Sequence, residues 1–153
     1  MSHKIVKQNE DEALLLEANI DDQSAERLAA ILPILIDAGA YDVFFTPIQM
    51  KKNRFATQLS VIINQQDLET ITYLIFKHTS TVGFRYHSFK RKVMSRHFIK
   101  VTTPFGAVSV KVATFKDIVK QTPEFDDCLA ISKKYNLSID NVYQMVYQQL
   151  KNN

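Results

Sequence analysis

The sequence predicts an α+β protein with a ferredoxin-like βαββαβ core, extended by a β-hairpin and followed by a C-terminal helical pair. Three observations support this prediction. The spacing of apolar residues alternates between that of strands and that of helices, in the order β-α-β-β-α-β through residue 93. Two further strand patterns follow. From residue 122 the apolar residues again have helical spacing. With 153 residues, 46 % apolar and 23 % charged, the chain is long enough to bury a core.

No repeat, low-complexity segment or Gly/Ser linker separates the predicted elements. Strands are expected at residues 13–20, 41–50, 58–64, 83–93, 97–103 and 107–114. Helices are expected between Ser24 and Gly39, over residues 66–78, from Thr122 to the Leu137-Ser138 pair, and over residues 139–150. We therefore expect a ferredoxin-like domain with its hairpin over residues 1–120, a helical appendage over residues 121–153, and a frayed segment at residues 1–12.

Several residues indicate how these elements begin and end. Ser24 is a typical N-cap, and Gly39 is a typical residue after the last turn of the same helix. Pro33 lies inside that helix and should kink or shorten it, because proline removes a backbone hydrogen bond. Pro47 predicts a bent or edge strand. Pro123 is expected at the first position of the penultimate helix.

The composition excludes several kinds of site. The single cysteine, Cys128, excludes an internal disulfide and a Cys-rich zinc site. Three glycines are too few for a Walker loop or a G-x-G-x-x-G turn, and no histidine pair has H-x-x-x-H spacing. No apolar run is long enough to span a bilayer and no signal peptide is evident, so we expect a cytoplasmic protein without a membrane partner.

Charge is distributed unevenly along the chain. Residues 1–76 have a net charge of −5 and residues 121–153 a net charge of −1, whereas residues 77–120 carry ten Lys/Arg and one acid, Asp117. That central excess has two interpretations. It can form a surface for phosphates or other polyanions, or it can be the basic solvent face of a β-ribbon.

The acidic pair Asp21-Asp22 stands where a strand ends and a helix begins. Adjacent carboxylates in such a position can hold Mg²⁺ or Mn²⁺, with waters and substrate phosphates as the remaining ligands. The alternative is structural, because an aspartate at this place also caps helices and forms Asx turns.

The polar run Lys51-Lys52-Asn53-Arg54 forms a predicted turn between two strands. Lysine binds phosphate as a point charge and arginine binds it with two donors, while asparagine can contact an oxygen or a base edge. The same four residues would also suit an ordinary solvated turn.

A third polar cluster, residues 79–85, leads from a helix into a strand and contains Thr81 and Arg85. Hydroxyls, a glycine and an arginine can surround a phosphate or a ribose. Equally, such residues can satisfy the free carbonyls at a helix end.

Taken together, four motifs resemble the C-terminal domain of the LarC family of nickel insertases. They are NIDD at residues 19–22, AGAYDVFFTPIQMKKNR at 38–54, LIFKHTSTVGFRY at 74–86 and PEFDDC at 123–128. The resemblance extends from about residue 12 to residue 147. The sequence departs from the family at Phe55, where proline is usual, and at Gln23-Ser24, where Met-Thr is usual.

The resemblance implies a CTP-dependent reaction. Members of the family insert Ni²⁺, a substrate metal, between the two thiocarboxylate sulfurs of pyridinium-3,5-bisthiocarboxylic acid mononucleotide. They form a Ni–C bond and hydrolyse CTP to CMP and pyrophosphate with Mn²⁺ or Mg²⁺, in maturation of lactate racemase. Only the C-terminal part is represented here. The expected partners are therefore CTP, the mononucleotide, and the N-terminal part of the insertase as a separate or fused polypeptide.

Residue chemistry and resemblance lead to one site hypothesis. Metal binding is expected at Asp21, Asp22 and Glu124, with Asp127 as an alternative helper. Nucleotide binding is expected at Lys51, Lys52, Asn53, Arg54, Thr81 and Arg85. The residues expected to be catalytic are Asp21, Asp22 and Lys51. A triphosphate carries about four negative charges, and a site without a glycine-rich loop must neutralise them with side-chain cations and the metal.

Two other functions remain open on the sequence. A ferredoxin-like sheet with a basic ribbon is also the architecture of non-catalytic RNA-binding modules, although the aromatic RNA-recognition signature is absent from the strands. An assembly or regulatory domain is the other alternative. Whichever function applies, an edge near Pro47 and an exposed hairpin lead us to expect a homo-oligomer.

Overall fold

The computed structural model describes residues 10–151, which divide into two compact units. The first unit, Glu10–Arg91, contains β1 (Glu10–Ile20), α1 (Ala25–Ala29), α2 (Ile31–Asp37), β2 (Asp42–Met50), β3 (Arg54–Ile63), α3 (Leu68–His78) and nearly all of β4 (Arg85–Lys92). The second unit, residues 92–151, contains β5 (Ser95–Thr103), β6 (Gly106–Phe115), β7 (Ile118–Pro123), α4 (Phe125–Tyr135) and α5 (Ile139–Lys151). Of the segment expected to be frayed, residues 10–12 belong to β1, and residues 1–9 lie outside the described part.

The first unit confirms the ferredoxin-like prediction. Its four strands lie in the order β2-β3-β1-β4, and β3 is antiparallel to both β1 and β2. Alternate residues of β1 and β3, such as Leu16, Leu59 and Val61, are buried in one core with Leu28, Leu35 and Ile71 of the helices. Pro47 lies on the edge strand β2, as expected for a residue that has no N–H to donate.

The first helical segment is interrupted, as Pro33 predicts. Ser24 caps α1 by accepting a hydrogen bond from the Arg27 N–H, and Ala30 separates α1 from α2. The break follows Ala29, whose carbonyl lies four residues before the proline and therefore receives no hydrogen bond from it. Gly39 has a φ of +100° after the end of α2, and a side chain is strained in that conformation.

Strand β3 begins four residues earlier than expected. The prediction placed its start at Gln58, but it pairs with β2 from the Met50–Arg54 pair onward. The composition of residues 51–54 predicts a turn. In the structure, residues 51–53 are enough to form the hairpin turn, and Arg54 therefore pairs with β2 as the first residue of β3. Since the register of β1 with β3 ends at the Ile20–Thr57 pair, the hairpin extends past that point as a two-stranded arm.

The second unit contains a strand that the prediction lacked. β7 pairs with β6, so the expected hairpin is the first part of a three-stranded antiparallel sheet. Pro123 was expected at the first helical position, which is wrong: it is the last residue of β7, opposite Val110, and Glu124 is the N-cap of α4. Proline fits a strand end because its missing N–H is no loss there.

The hairpin strands and the C-terminal helices share one core. Val108 and Val110 of β6 are fully buried with Cys128, Val142 and Val146 of the helices. The structure therefore divides near residue 92 rather than near residue 120, because the apolar faces of these strands cover those of α4 and α5. No helix within residues 10–151 is both long enough and apolar enough to cross a lipid bilayer.

Candidate functional site

The end of β1 and the turn between β2 and β3 meet in the first unit. Arg54 is the first residue of β3, and its Nη1 donates a hydrogen bond to Asp21 Oδ2 at 3.0 Å. The Arg54 side chain is 54 % exposed and the Asp21 side chain 23 % exposed, so solvent reaches both groups. Two of the residues expected to bind the metal and the nucleotide are thus in direct contact.

The turn itself presents its side chains to solvent. Lys51, Lys52 and Asn53 are exposed and form a single 3-10 turn. Lys52 and Asn53 both have a φ of +60°, a left-handed conformation that asparagine tolerates well and lysine adopts rarely. The Asn53 amide oxygen accepts a hydrogen bond from the Gln49 side chain of β2. Both lysines are therefore accessible to a polyanion in solvent.

Asp22 contacts the loop that follows α3. Its Oδ1 accepts a hydrogen bond from the Ser80 hydroxyl. Gln23 also binds this loop: its Oε1 accepts from the Ser80 N–H at 3.0 Å, and its Nε2 donates to the His78 carbonyl at 3.5 Å. Both Gln23 and Ser80 were absent from the predicted site. Ser80 lies within the hydroxyl-rich run that the sequence singled out, whereas nothing in the sequence indicated Gln23.

Thr81 and Arg85 are in the same unit, with local partners of their own. The Thr81 hydroxyl donates to the Gly83 carbonyl at 2.7 Å, which closes the loop before β4. Arg85 Nε donates to Glu17 Oε2 at 3.1 Å. With its amide oriented to satisfy both neighbours, Gln58 donates to Glu17 and accepts from Arg85. These contacts continue the polar surface of Asp21 and Arg54 along one end of the sheet.

Glu124 and Asp127 belong to the second unit and are engaged there. Glu124 Oε1 lies 3.7 Å from Lys111 Nζ. Asp127 Oδ2 accepts from the Ser109 N–H at 2.7 Å and lies 3.7 Å from Lys100 Nζ. The Ser109 hydrogen bonds hold the pKa of Asp127 below its ordinary value of 3.8.

The expected three-carboxylate metal set is not assembled within either unit. No group of three His, Cys, Asp or Glu side chains that could hold a metal occurs in residues 10–151. The pair Asp21-Asp22 is therefore the part of the predicted set that shares a unit with the predicted phosphate-binding cations. Two carboxylates suit Mg²⁺ or Mn²⁺, which usually bind one or two protein oxygens and take their other ligands from water and phosphate.

A separate cavity of about 240 Å³ lies in the second unit, between the β5–β6 turn and α5. Phe105, Leu137 and Met145 form its apolar lining, and the amides of Asn141 and Gln144 form part of its polar lining. It contains none of the predicted residues and no charged side chain, so it does not suit a triphosphate.

Comparison with known sequences places these residues in a wider context. The family described as nickel insertion protein matches residues 2–143. The pyridinium-3,5-bisthiocarboxylic acid mononucleotide nickel insertion protein of Lactiplantibacillus plantarum is 48 % identical over 94 % of this chain and 34 % of the relative. The putative nickel insertion protein of Enterococcus faecalis is 44 % identical over 99 % of this chain and 46 % of the relative. This chain thus spans between a third and a half of these curated relatives.

Two solved structures are similar to this one. The apo form of LarC2, the C-terminal domain of a cyclometallase involved in the synthesis of the NPN cofactor of lactate racemase, is 46 % identical with a TM-score of 0.86, covering 94 % of this chain and 99 % of that one. A Methanopyrus kandleri protein has a TM-score of 0.65 at 23 % identity, covering 92 % of this chain and 89 % of that one, and supports the fold alone.

Proposed function

The chain belongs to the nickel insertion protein family, and we propose that it is the part of a nickel insertase that binds CTP together with Mn²⁺ or Mg²⁺. In the proposed reaction, Ni²⁺ is installed into pyridinium-3,5-bisthiocarboxylic acid mononucleotide while CTP is hydrolysed to CMP and pyrophosphate. The name of the 48 % identical relative supports the nickel and mononucleotide parts of this proposal. The N-terminal part of the insertase, fused or separate, is the proposed partner for completing the reaction.

The contact between Asp21 and Arg54 is the observation that carries the nucleotide part. It brings the acidic end of β1 beside the cationic turn at residues 51–54. A metal-bound triphosphate needs this combination, since carboxylates hold the ion while cations neutralise the remaining phosphate charge. An exposed ion pair contributes only about 0–1 kcal/mol, so Arg54 can exchange the carboxylate for a phosphate at little cost.

We assign the metal to Asp21 and Asp22. Their carboxylate oxygens are hard ligands, and the absence of a third acid around them within residues 10–151 leaves coordination positions for phosphate oxygens and water. The Ser80 hydroxyl would hold Asp22 in a fixed rotamer while the other oxygen of that carboxylate stays free to bind. When bound, the ion would draw electron density from the phosphates that it contacts.

We assign the triphosphate to Lys51, Lys52 and Arg54. Lys51 would lie nearest the α- and β-phosphates and neutralise the charge that develops on the leaving pyrophosphate, which is its proposed catalytic role. Arg85 and Thr81 would contact the phosphates or the ribose after exchanging their present partners. Asn53 would meet the cytosine edge, because its amide offers both a donor and an acceptor.

A thermal-shift panel of the four nucleoside triphosphates, with and without Mn²⁺, tests the proposal. A ligand that binds only the folded state raises its melting temperature, so CTP with Mn²⁺ should stabilise the protein more than UTP, ATP or GTP. The variant Arg54→Ala should lose this stabilisation, whereas the control Lys77→Ala, which removes an exposed cation on α3, should keep it. Equal shifts for all four nucleotides, or no shift, would contradict the proposal.

The same panel distinguishes the proposed CTP site from the RNA-binding module that the sequence left open. An RNA-binding module would bind many sequences, would weaken steeply with salt and would not discriminate CTP from UTP. Whether the chain assembles as a homo-oligomer is tested separately by light scattering. We propose that it does, because the two-stranded arm of β2 and β3 exposes Phe55, which is 88 % accessible.

A further inference from the structure

The outward face of the sheet in the second unit carries an aromatic ring together with four cations. We call it the basic face and define it by residues Arg96, Phe98, Lys100, Lys111 and Lys120. These residues alternate with the buried side chains of β5 and β6, such as Val101, Val110 and Val112, which lie on the helix side. The basic face is therefore the side of the sheet that α4 and α5 leave uncovered.

Strand register gives the basic face a regular layout. Phe98 pairs with Lys111, Arg96 pairs with Ala113, and Ala113 pairs in turn with Lys120. Paired residues on neighbouring strands lie about 5 Å apart, and Arg96 and Lys100 each lie about 7 Å from Phe98 along β5. The side chain of Phe98 can therefore contact Arg96 and Lys100 on its own strand and Lys111 on the neighbouring strand β6.

Phe98 is accessible to a ligand. Its side chain is 57 % exposed, although large aromatic residues are normally covered. A single exposed aromatic needs no explanation, but one flanked by three cations on β5 and β6, with a fourth on β7 two strands away, has the layout of a platform for an anionic ring compound.

The positive charge of the basic face is only partly neutralised. Lys111 and Lys100 lie 3.7 Å from Glu124 and Asp127, respectively, two acids at the start of α4. Within residues 10–151, no ion pair involves Arg96 or Lys120. Arg96 and Lys120 therefore carry charge that no acid of the described part balances, and an anion is the partner that the basic face fits.

We propose that the basic face binds the pyridinium bisthiocarboxylate mononucleotide, an inference that rests on the proposed function. This compound has one aromatic ring, two thiocarboxylates and one phosphate, and its net charge is roughly −2.5 to −3. The positively charged pyridinium ring stacks on the face of Phe98 through a cation–π contact. Arg96, Lys100 and Lys111 bind the thiocarboxylates and Lys120 binds the phosphate. One central ring matches a mononucleotide, whereas an oligonucleotide would require successive stacking residues.

Calorimetric titration with nicotinic acid mononucleotide, a pyridinium mononucleotide with one ring carboxylate, tests this inference on the whole chain. The variants Phe98→Ala and Lys111→Ala should each weaken binding at least fivefold. The controls Phe125→Ala, which removes a ring of 56 % exposure at the start of α4, and Lys133→Ala should bind like the parent protein. Nicotinamide mononucleotide, which lacks the ring carboxylate, should bind more weakly than the acid.

Three outcomes would overturn the inference. They are no binding of the acid mononucleotide at millimolar concentration, equal binding by Phe98→Ala and the parent, and tighter, Phe98-dependent binding of a thymidine oligonucleotide that displaces the mononucleotide. Measuring CTP with Mn²⁺ on the same variants keeps the two proposals apart. The Phe98 and Lys111 variants should retain the CTP-induced thermal shift. If the parent protein itself shows no such shift, the CTP site is contradicted and the mononucleotide site is not.

Discussion

Arg54 Nη1 lies 3.0 Å from Asp21 Oδ2, although 33 positions separate the two residues in the chain. The contact exists because β3 begins at Arg54, past the Ile20–Thr57 pair of the β1–β3 register. The first turn after β1 and the hairpin turn after β2 are thereby joined on one unit. The proposed nucleotide site depends on this junction.

Removing the carboxylate of Asp21 should weaken metal binding, and removing the cation of Lys51 should weaken phosphate binding; both changes should weaken the binding of CTP with Mn²⁺. We expect Asp21→Ala and Lys51→Ala each to raise the Kd of CTP with Mn²⁺ roughly tenfold, because a charged hydrogen-bond partner contributes about 1.5–3 kcal/mol. The loss in Asp21→Ala should increase when Mn²⁺ is limiting, since this residue is assigned to the ion. Calorimetry at two Mn²⁺ concentrations measures both effects.

The matched control for that pair is Asp37→Ala, which removes an exposed acid at the end of α2. It should bind like the parent protein. If Asp21→Ala and Lys51→Ala keep the parent affinity under both conditions, the site lies elsewhere.

Gln23 should act as a positioning residue for Asp22. Replacing it with methionine removes the acceptor for the Ser80 N–H, and the loop carrying the Asp22 partner then loses one of its anchors. We expect a three- to tenfold weaker affinity for CTP with Mn²⁺ and a fall in Tm of about 2 °C or less, because this exposed hydrogen bond contributes roughly 0.5 kcal/mol.

The control for this variant is Gln65→Met, at an exposed glutamine before α3. It should leave both readouts unchanged. A Gln23→Met protein that loses several degrees of Tm in proportion to its loss of affinity would indicate a structural role only.

Gly39 should be sensitive to substitution for conformational reasons. Its φ is +100°, and an added Cβ would meet no atom closer than 3.9 Å, so the cost of Gly39→Ala is backbone strain rather than a clash. We expect a loss of about 1–2 kcal/mol in the free energy of unfolding, measured by urea denaturation. Gly83 has no atom within 4 Å of an added Cβ, so Gly83→Ala should be neutral or stabilising. Equal losses in both variants would contradict this explanation.

Asp127 should make stability depend on acid pH. Hydrogen bonds from Ser109 hold its pKa below 3.8 in the folded protein, so its stabilising effect is present above that value and is lost as the pH falls through the lowered pKa. At pH 7, Asp127→Ala should lose about 1 kcal/mol, a modest value because the side chain is 36 % exposed.

The comparison of Asp127→Ala with the parent should be made by denaturation at several pH values. The difference in free energy of unfolding should shrink below about pH 4 and vanish at lower pH. Asp126→Ala, at the neighbouring position in the first turn of α4, is the control. A difference that stays constant from pH 7 to pH 2 would show that the ionised carboxylate is not the source.

Local patterns were sufficient for most of the first unit. The Ser24 cap, the break caused by Pro33, the glycine after α2 and the edge position of Pro47 all follow from properties of single residues and their neighbours. Strand β7 was missed because all its residues before Pro123 are exposed, and an exposed strand has no apolar alternation to reveal it.

The sequence by itself determined the order of strands and helices in the first unit, the family, and the clusters of acids and cations. Each of these depends on residue type and on spacing over a few positions. Tertiary structure decided which clusters meet: Asp21 reaches Arg54 and Asp22 reaches Ser80, while Glu124 and Asp127 are engaged by Lys111 and Ser109. The physical reason is that such contacts depend on strand register and on where each core closes, and both are set by packing between residues far apart in the chain.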